Sequence, residues 1–207
     1  MSSTVASDDK TIETTAAALR ARGITVETVN TRAEALERIK SIIPAGVTVM
    51  TGASVTLKEI GFEDYLISKA HPWKNLKEDI VAETDLAKQS ALRKQATLAD
   101  YFLGSVHAVA ETGELVIASA SGSQLGPYAF SASNVVWVVG SQKITKTLED
   151  GIRRVKEFVM PHEDERMKAR TGGKMGTMLG KLLIFEREAP FLGRKLTLIL
   201  VREATGD

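Results

Sequence analysis

The chain has 207 residues, of which 43% are hydrophobic and 26% are charged. These are values of an ordinary globular domain, so a disordered or fibrous protein is excluded. The 27 basic and 26 acidic side chains nearly cancel, leaving a net charge of +1. We therefore expect no nucleic-acid partner and no general attraction to a membrane surface.

Cysteine is absent from the sequence, which excludes disulfides, thiolate metal sites and a cysteine nucleophile within this chain. The three histidines, His71, His107 and His162, are far apart in sequence, so we expect no metal site. No apolar run approaches the roughly 18–20 residues that a membrane-spanning helix needs. The start of the chain has no apolar segment of the kind found in signal peptides. We therefore expect a cytoplasmic protein with a disordered polar leader over residues 1–10.

The first half of the chain alternates helical and strand patterns. Apolar spacing predicts a helix over 11–22, a strand over 24–29, and a second helix that starts after Thr31 and stops at Pro44. Thr31 and Glu34 form the pattern of a capping box. A β-branched strand over 47–50 precedes the loop TGAS at 51–54, and Ser54 is placed to cap a further helix. Residues 62–85 begin with a predicted helix over 62–69 and otherwise suggest a flap or a connector.

The second half adds a hairpin and three more strands. A long amphipathic helix is predicted over 86–103, followed by strands at 106–110 and 115–118 that flank a turn. A buried strand over 135–139 precedes a helical stripe over 148–159 that should stop at Pro161, and strands follow at 182–185 and 196–201. This order predicts one α/β domain over 11–205, with three layers and a mostly parallel sheet that carries an antiparallel hairpin.

The first candidate site is the loop that follows the strand over 47–50. It supplies Thr51, Gly52 and Ser54, with Thr56 in the helix that follows. Small residues let an anionic ligand approach the backbone, and the hydroxyls add hydrogen-bond donors. The alternative is that the loop is an ordinary helix cap.

The second candidate site is the hairpin, which carries His107 and Glu111. Strand alternation places the two side chains on one face, where His107 suits acid–base chemistry and Glu111 suits a base or a nucleophile. Gly104, Thr112 and Gly113 flank them as candidate ligand contacts. The alternatives are a hydrogen-bonded structural histidine and a glutamate that only caps its own turn.

The third candidate site is the polar loop that follows the hairpin. Its candidate ligand contacts are Ser121, Gly122, Ser123 and Gln124, and a helix that begins near Gln124 would direct its N-terminus at an anion. The alternative is a flexible loop. The later glycine-rich stretch 171–181 is not a phosphate-binding loop, because its spacing is one residue short and it precedes a strand. We interpret that stretch as a basic connector.

Three motifs resemble the lactate-utilisation (LUD) domain family, which includes lactate-utilisation protein C. They are ADYFLGSVHAVAETG at 99–113, TGASVTLKEIG at 51–61 and GRKLTLILV at 193–201, in the family's order. The resemblance spans about residues 11–205. Glu114 stands where many relatives have threonine, and the presence of His107 and the SGSQ loop at 121–124 places the chain near a subset whose substrate need not be lactate.

The resemblance implies a fold similar to ribose-phosphate isomerases, glucosamine-phosphate deaminases and coenzyme A transferases, whose ligands lie at loops after the strands. It also implies binding of a small carboxylate or phosphorylated ligand, and a part in oxidising L-lactate to pyruvate with iron–sulfur partner proteins. Because the chain has no cysteine, any such cluster would have its thiolate ligands on a partner. Two other functions remain open: a non-catalytic accessory or ligand-sensing subunit, and an enzyme like the sugar-phosphate isomerases or coenzyme A transferases. A homodimer through residues 62–85 or a sheet edge is also open.

Overall fold

Two sheets and the helices around them make up the computed structural model of the protein, which describes residues 4–207. The helices are α1 Asp9–Ala21, α2 Arg32–Ile42, α3 Val55–Glu59, α4 Phe62–Ile67, α5 Leu76–Ala82, α6 Leu86–Gln95, α7 Leu148–Arg154 and α8 Met160–Thr171. The strands are β1 Thr25–Val29, β2 Thr48–Thr51, β3 Lys74–Asn75, β4 Tyr101–Gly104, β5 Ala108–Ala110, β6 Leu115–Ser119, β7 Asn134–Gly140, β8 Ile144–Thr145, β9 Lys181–Phe185 and β10 Lys195–Val201.

The larger sheet has six strands in the order β1-β10-β7-β4-β2-β3, and every neighbouring pair is parallel. All six strands therefore end at the same edge. The loops that follow β2, β4, β7 and β10 meet at this carboxyl edge, which is where open α/β sheets place their ligands.

Alternation along β7 explains how the larger sheet is covered on both faces. Val135, Trp137 and Val139 face a core formed with α1 and the hairpin strands, whereas Val136 and Val138 face a second core formed with α2, α3 and α4. All five side chains are buried. The continuous β-branched run in the sequence follows from this two-sided burial. The predicted α/β class and mostly parallel sheet are confirmed.

The predicted hairpin exists as antiparallel β5 and β6, but it belongs to a separate sheet of order β8-β5-β6-β9. The strand predicted over 182–185 is β9, and it pairs antiparallel with β6. Helix α7 and the π-helical turn after it cover the outer face of this small sheet through Ala108, Val116 and Val155.

Two predicted caps are confirmed by hydrogen bonds. The Glu34 backbone N–H donates to Thr31 Oγ1 at 3.2 Å, and the Leu57 backbone N–H donates to Ser54 Oγ at 3.2 Å. Helix α3 covers five residues only, so its N-terminus contributes little dipole to the neighbouring loop.

The predicted long helix over 86–103 is wrong in its second half. Helix α6 ends at Gln95, a 3₁₀ turn covers Ala96–Leu98, and Phe102 and Leu103 lie in β4. Tertiary pairing decides this, because β4 lies between β2 and β7 in the sheet. The Thr48 backbone N–H and hydroxyl both donate to Asp100 Oδ2, which fixes the start of the strand.

Pro161 does not end the helical run that starts at Leu148. A π-helical turn over Val155–Val159 joins α7 to α8, and Pro161 lies at the start of α8. The missing N–H of proline is tolerated there because the hydrogen-bond ladder already shifts register in the π turn.

The predicted leader over 1–10 is also shorter than expected. The Asp8 side chain caps α1, which begins at Asp9, and the Ser7 backbone N–H donates to Ser141 Oγ at 3.2 Å. The first three residues lie outside the described part of the chain.

Residues 62–85 are built into the domain: Phe62 and Trp73 are buried, and β3 extends the large sheet. Over residues 4–207, no helix is long and apolar enough to cross a membrane.

Candidate functional site

A buried lysine lies at the centre of the carboxyl edge. Lys143 follows the end of β7, and its side-chain amine donates to Thr56 Oγ1 at 3.0 Å, to Ser105 Oγ at 3.3 Å and to the Val106 carbonyl at 3.4 Å. The Thr56 hydroxyl also lies 3.2 Å from Ser105 Oγ. The loops after β2, β4 and β7 therefore meet at one amine, which is 3% exposed as a residue.

A buried arginine adds positive charge near this amine. Arg154 at the end of α7 is buried, and its guanidinium carbon lies 4.9 Å from the ring centre of Phe158. Burial lowers the pKa of Arg154 to about 10, although the charge of Asp207 acts in the opposite direction. Burial, followed by the charge of Arg154, lowers the pKa of Lys143 to about 7, while Asp207 and Glu59 act against that shift.

His107 lies beside the same group of cations. Burial, followed by the charges of Lys143, Arg154 and Arg166, lowers the pKa of His107 to about 3. The imidazole is therefore neutral at physiological pH. Its Nδ1 accepts a hydrogen bond from the Ala118 backbone N–H at 3.1 Å, so the ring proton is on Nε2. A neutral imidazole with a proton on Nε2 can donate to an anionic ligand.

The segment that follows β10 covers the amine. Gln142 holds it: its Nε2 donates to the carbonyls of Thr205 at 2.9 Å and Gly206 at 2.8 Å. A Cβ on Gly206 would lie 2.8 Å from Lys143 Nζ and 2.1 Å from Thr56 Oγ1, so only glycine fits this approach. Asp207 places its carboxylate 3.2 Å from a terminal nitrogen of Arg166. The protein thus places one of its own carboxylates among Lys143, Arg154 and Arg166.

Two of the three loops predicted from the sequence do come together. A Cβ on Gly52 would lie 2.7 Å from Gln124 Oε1, so the loop at 51–54 touches the loop at 121–124. Thr51 is buried and accepts from Lys77 Nζ at 3.2 Å. Thr56 contacts Lys143 directly, whereas the hydroxyl of Ser54 is used by its helix cap.

Gly104 ends β4 beside a buried tyrosine. A Cβ at this position would lie 1.7 Å from Tyr128 Oη, so the close approach requires glycine. Burial raises the pKa of Tyr128, which keeps the hydroxyl protonated. Within the loop at 121–124, Ser121 Oγ bonds Ser123 Oγ and the Gly122 backbone N–H donates to Ser119 Oγ. These polar groups of the loop stabilise its own turn.

The tip of the hairpin lies elsewhere. Glu111 forms an ion pair of 2.6 Å with the exposed Lys146. A Cβ on Gly113 would lie 2.9 Å from the backbone of Ala18, and the Thr112 carbonyl accepts from Arg22 Nε at 2.8 Å. Thr112 and Gly113 therefore join the hairpin to α1, and within residues 4–207 no hydrogen bond or ion pair connects Glu111 to His107 or Lys143.

Sequence reasoning missed Lys143, Ser105, Arg154, Arg166 and Asp207. One signal was available for Lys143, because polar residues directly follow the buried strand β7 just as they follow β2. Arg154 adjoins the apolar stripe of its helix and gave no such signal. In the described part of the chain, no group of three or more His, Cys, Asp or Glu side chains is arranged to hold a metal ion.

An open, parallel sheet flanked by helices, with a polar and cation-rich cluster at its carboxyl edge, defines a protein of the α/β class. The family model of the LUD domain matches residues 12–174, so the chain belongs to the LUD domain family. This family is associated with lactate utilisation. No curated protein sequence matches the chain.

One solved structure supports the same fold. The chain is similar to a DUF162 family protein from Deinococcus radiodurans, with a TM-score of 0.56, 14% identity, and coverage of 93% of this chain and 96% of that one. A second similarity, to eIF2B delta from Chaetomium thermophilum, has a TM-score of 0.35 and 13% identity over 58% of this chain and 51% of that one, which is too low to support an argument.

Proposed function

We propose that the protein binds a small carboxylate or phosphorylated ligand at the carboxyl edge of the sheet, and that it takes part with iron–sulfur partners in the oxidation of L-lactate to pyruvate. One observation carries the binding part of this proposal. Asp207 brings a carboxylate among Lys143, Arg154 and Arg166, so the cluster already accommodates the charge that such a ligand has.

The chemistry of the cluster supports an anionic ligand. Lys143 and Arg154 lie in a buried environment, where a charge-assisted hydrogen bond to an anion is stronger than in water. His107 adds a neutral donor, and Thr56 and Ser105 add hydroxyls. The lactate part of the proposal comes from the family, and the thiolates of any iron–sulfur cluster would belong to a partner because this chain has none.

A thermal-shift and calorimetric screen against L-lactate, pyruvate, inorganic phosphate, a sugar phosphate and an acyl-CoA tests the proposal. A ligand present at about 100 times its dissociation constant stabilises the folded state by about 2.7 kcal/mol. No stabilisation by any of these compounds would contradict the binding role.

Matched variants locate the binding site. Arg154→Gln removes a buried charge of the cluster, and we expect it to weaken binding by at least about tenfold, or about 1.4 kcal/mol. Arg153→Gln is the control, because the neighbouring Arg153 is exposed and pairs with Asp150 outside the cluster. Equal losses in both variants would show that the ligand binds elsewhere.

The segment at 204–207, which follows β10 and covers Lys143 (the covering segment), favours one alternative function. That alternative is a ligand-sensing subunit without turnover. A ligand at Lys143 has to displace Gly206 and Asp207, so its binding changes the conformation of the segment that follows β10. Ligand binding together with partner recruitment, but without any change in the ligand, would favour this function over catalysis.

A further inference from the structure

Lys143 is placed for covalent chemistry that binding alone does not require. The site pairs the Asp207 carboxylate with Arg166 and also brings the Lys143 amine to the strand end. Within residues 4–207, Lys143 is the only buried lysine. Burial disfavours the ammonium form of a lysine, so a buried lysine that served only as a positive charge would destabilise the fold.

The hydrogen bonds around the amine orient it. Thr56 Oγ1, Ser105 Oγ and the Val106 carbonyl all lie on the side of the strand-end loops, while the Gly206 backbone lies against the amine as a cover. When the Gly206 backbone moves away, the amine becomes accessible to a ligand that takes its place. A ligand that replaces the segment can pair its carboxylate with Arg166 as Asp207 does. Its neighbouring carbon atoms then take the place of the Gly206 backbone, which lies against the Lys143 amine.

We propose that Lys143 forms an imine with the carbonyl carbon of a 2-oxo carboxylate held in this cluster. The inference rests on the proposed function, because it specifies the class of ligand that binds at the same site. Lysines activated by burial and by a neighbouring cation are the usual nucleophiles for imine formation. Arg154 supplies the neighbouring cation, and the lowered pKa of Lys143 supports a neutral amine near physiological pH.

The reaction needs no oxidant or reductant. The lone pair of the Lys143 nitrogen forms a bond to C2 of the oxo acid, and the electron pair of the C=O π bond moves to oxygen, which takes a proton. The nitrogen then loses a proton and the carbinol oxygen takes a second one, so that the C–O bond breaks with the departure of water. The nitrogen lone pair forms the new π bond of a protonated imine, and amine, carbonyl and one proton have become iminium and water. The hydroxyls of Ser105 and Thr56 lie next to the nitrogen, where they can carry protons between amine and carbinol oxygen.

Reduction with sodium borohydride in the presence of pyruvate tests this step on the full chain. Hydride converts the imine to a stable secondary amine, so the chain gains the mass of pyruvic acid less one oxygen atom. We expect one adduct per chain, and peptide mass spectrometry of the unaltered protein should place it on Lys143. An adduct spread over exposed lysines, or none, would overturn the proposal.

Two variants test whether the adduct forms on Lys143. Each removes one lysine charge, so a difference between them cannot come from loss of charge alone. Lys143→Gln keeps hydrogen bonding to Thr56 and Ser105 without a nucleophile, and the adduct should disappear. Lys94→Gln is the matched control, since Lys94 is exposed on α6, and its adduct yield should equal that of the unaltered protein. A Lys143→Gln protein that is folded and still labelled to the same extent would contradict the proposal.

A comparison of ligands separates this inference from the proposed function. L-lactate has the carboxylate but no carbonyl, so it should stabilise the protein in a thermal shift and give no adduct with borohydride. Stabilisation by lactate and pyruvate without an adduct would overturn the imine and leave anion binding intact. Failure of both ligands to stabilise the protein, together with the absence of an adduct, would contradict both.

Discussion

At the scale of single residues, the polar side chains around Lys143 differ from ordinary surface groups in how they titrate. His107 and Lys143 both lose affinity for protons on folding, because burial and neighbouring cations disfavour their charged forms. Protons therefore bind the unfolded chain more tightly at both positions. Stability should rise with pH wherever either group is protonated in the unfolded state and neutral in the folded state.

The stability of the protein should depend on the protonation of His107. Its pKa falls from 6.5 to about 3 on folding, so its contribution to stability is present above about pH 6.5 and is lost as the pH falls towards 3. From about pH 7.5 to about pH 5, the free energy of unfolding should fall by up to about 2 kcal/mol because of this group alone.

Urea unfolding of the unaltered protein and of His107→Gln at both pH values measures this effect. The variant cannot titrate at position 107, so its free energy of unfolding should change less over the same interval. Identical pH dependence in the two proteins would show that His107 is not held neutral by the fold.

The sequence allowed part of the site to be predicted at this scale. Thr56, Gly52 and Gln124 were found because small and polar residues follow apolar strands, and the structure brings the loops at 51–54 and 121–124 into contact. His107 was found because a histidine in the predicted hairpin suits acid–base chemistry. Arg154 was missed because nothing in a sequence tells a buried arginine on a helix from an exposed one such as Arg153. That distinction depends on what packs against the helix.

Among helices and strands, features that depend on neighbouring residues in the sequence were predicted better than features that depend on the pairing of strands. Caps such as Thr31 and Ser54 are local, and both were correct. The end of α6 and the start of β4 depend on Asp100 binding Thr48, which is 52 residues away, and the helical spacing over 86–103 does not report that contact. Short strands are the elements most easily taken for the end of a helix.

The π-helical segment Pro127–Ser131 depends on one arginine. Arg194 donates to the backbone carbonyls of Pro127, Tyr128, Ala129 and Ala132, and it pairs with Glu188 at 3.0 Å. Both side chains of that pair are 6% exposed. The same segment carries Tyr128, which packs against Gly104, so Arg194 indirectly fixes the end of β4.

We therefore predict that Arg194→Met destabilises the protein by about 3–5 kcal/mol, because Glu188 is left as a buried charge without its partner and four carbonyls lose a donor. Guanidinium unfolding measures the loss. Arg187→Met is the control, since Arg187 is exposed, and its change should stay within about 0.5 kcal/mol. A loss of similar size in both variants would show that the hydrogen bonds and the ion pair of Arg194 do not stabilise the segment Pro127–Ser131.

At the scale of the whole molecule, the site is assembled from distant parts of the chain. Helix α3, the ends of β4 and β7, helices α7 and α8, and the segment after β10 each contribute at least one of the groups around Lys143. The α/β class was predictable because strands and helices alternate. The separate four-stranded sheet was not predictable. Strand β9 follows the connector at 171–181, and the sequence of that connector does not indicate that β9 will pair with β6.

Competition between Asp207 and an external ligand gives a prediction at this scale. The pair of Asp207 with Arg166 is partly exposed, with side-chain exposures of 36% and 44%, so it is worth at most about 1 kcal/mol. Asp207→Asn weakens the hold of the covering segment and increases the fraction of open sites. Ligand affinity should rise by about two- to fivefold as a result.

Calorimetric titration of the variant with pyruvate and with L-lactate measures this change. Asp64→Asn is the control, because Asp64 is exposed and lies on α4, a helix that contributes none of the groups named around Lys143. Weaker binding in Asp207→Asn than in the control would show that the carboxylate assists the ligand instead of competing with it.

The place of β10 in the sheet affects how the protein is made. β10 is the last strand of the large sheet in sequence, yet it lies between β1 and β7, and β1 has no other neighbour in the sheet. During synthesis, β1 must therefore wait for a partner that emerges about 170 residues later, as the register of Thr25 with Thr197 requires. Until then the apolar edge of β7 is open as well. We expect the nascent chain to depend on protection from aggregation until β10 leaves the ribosome.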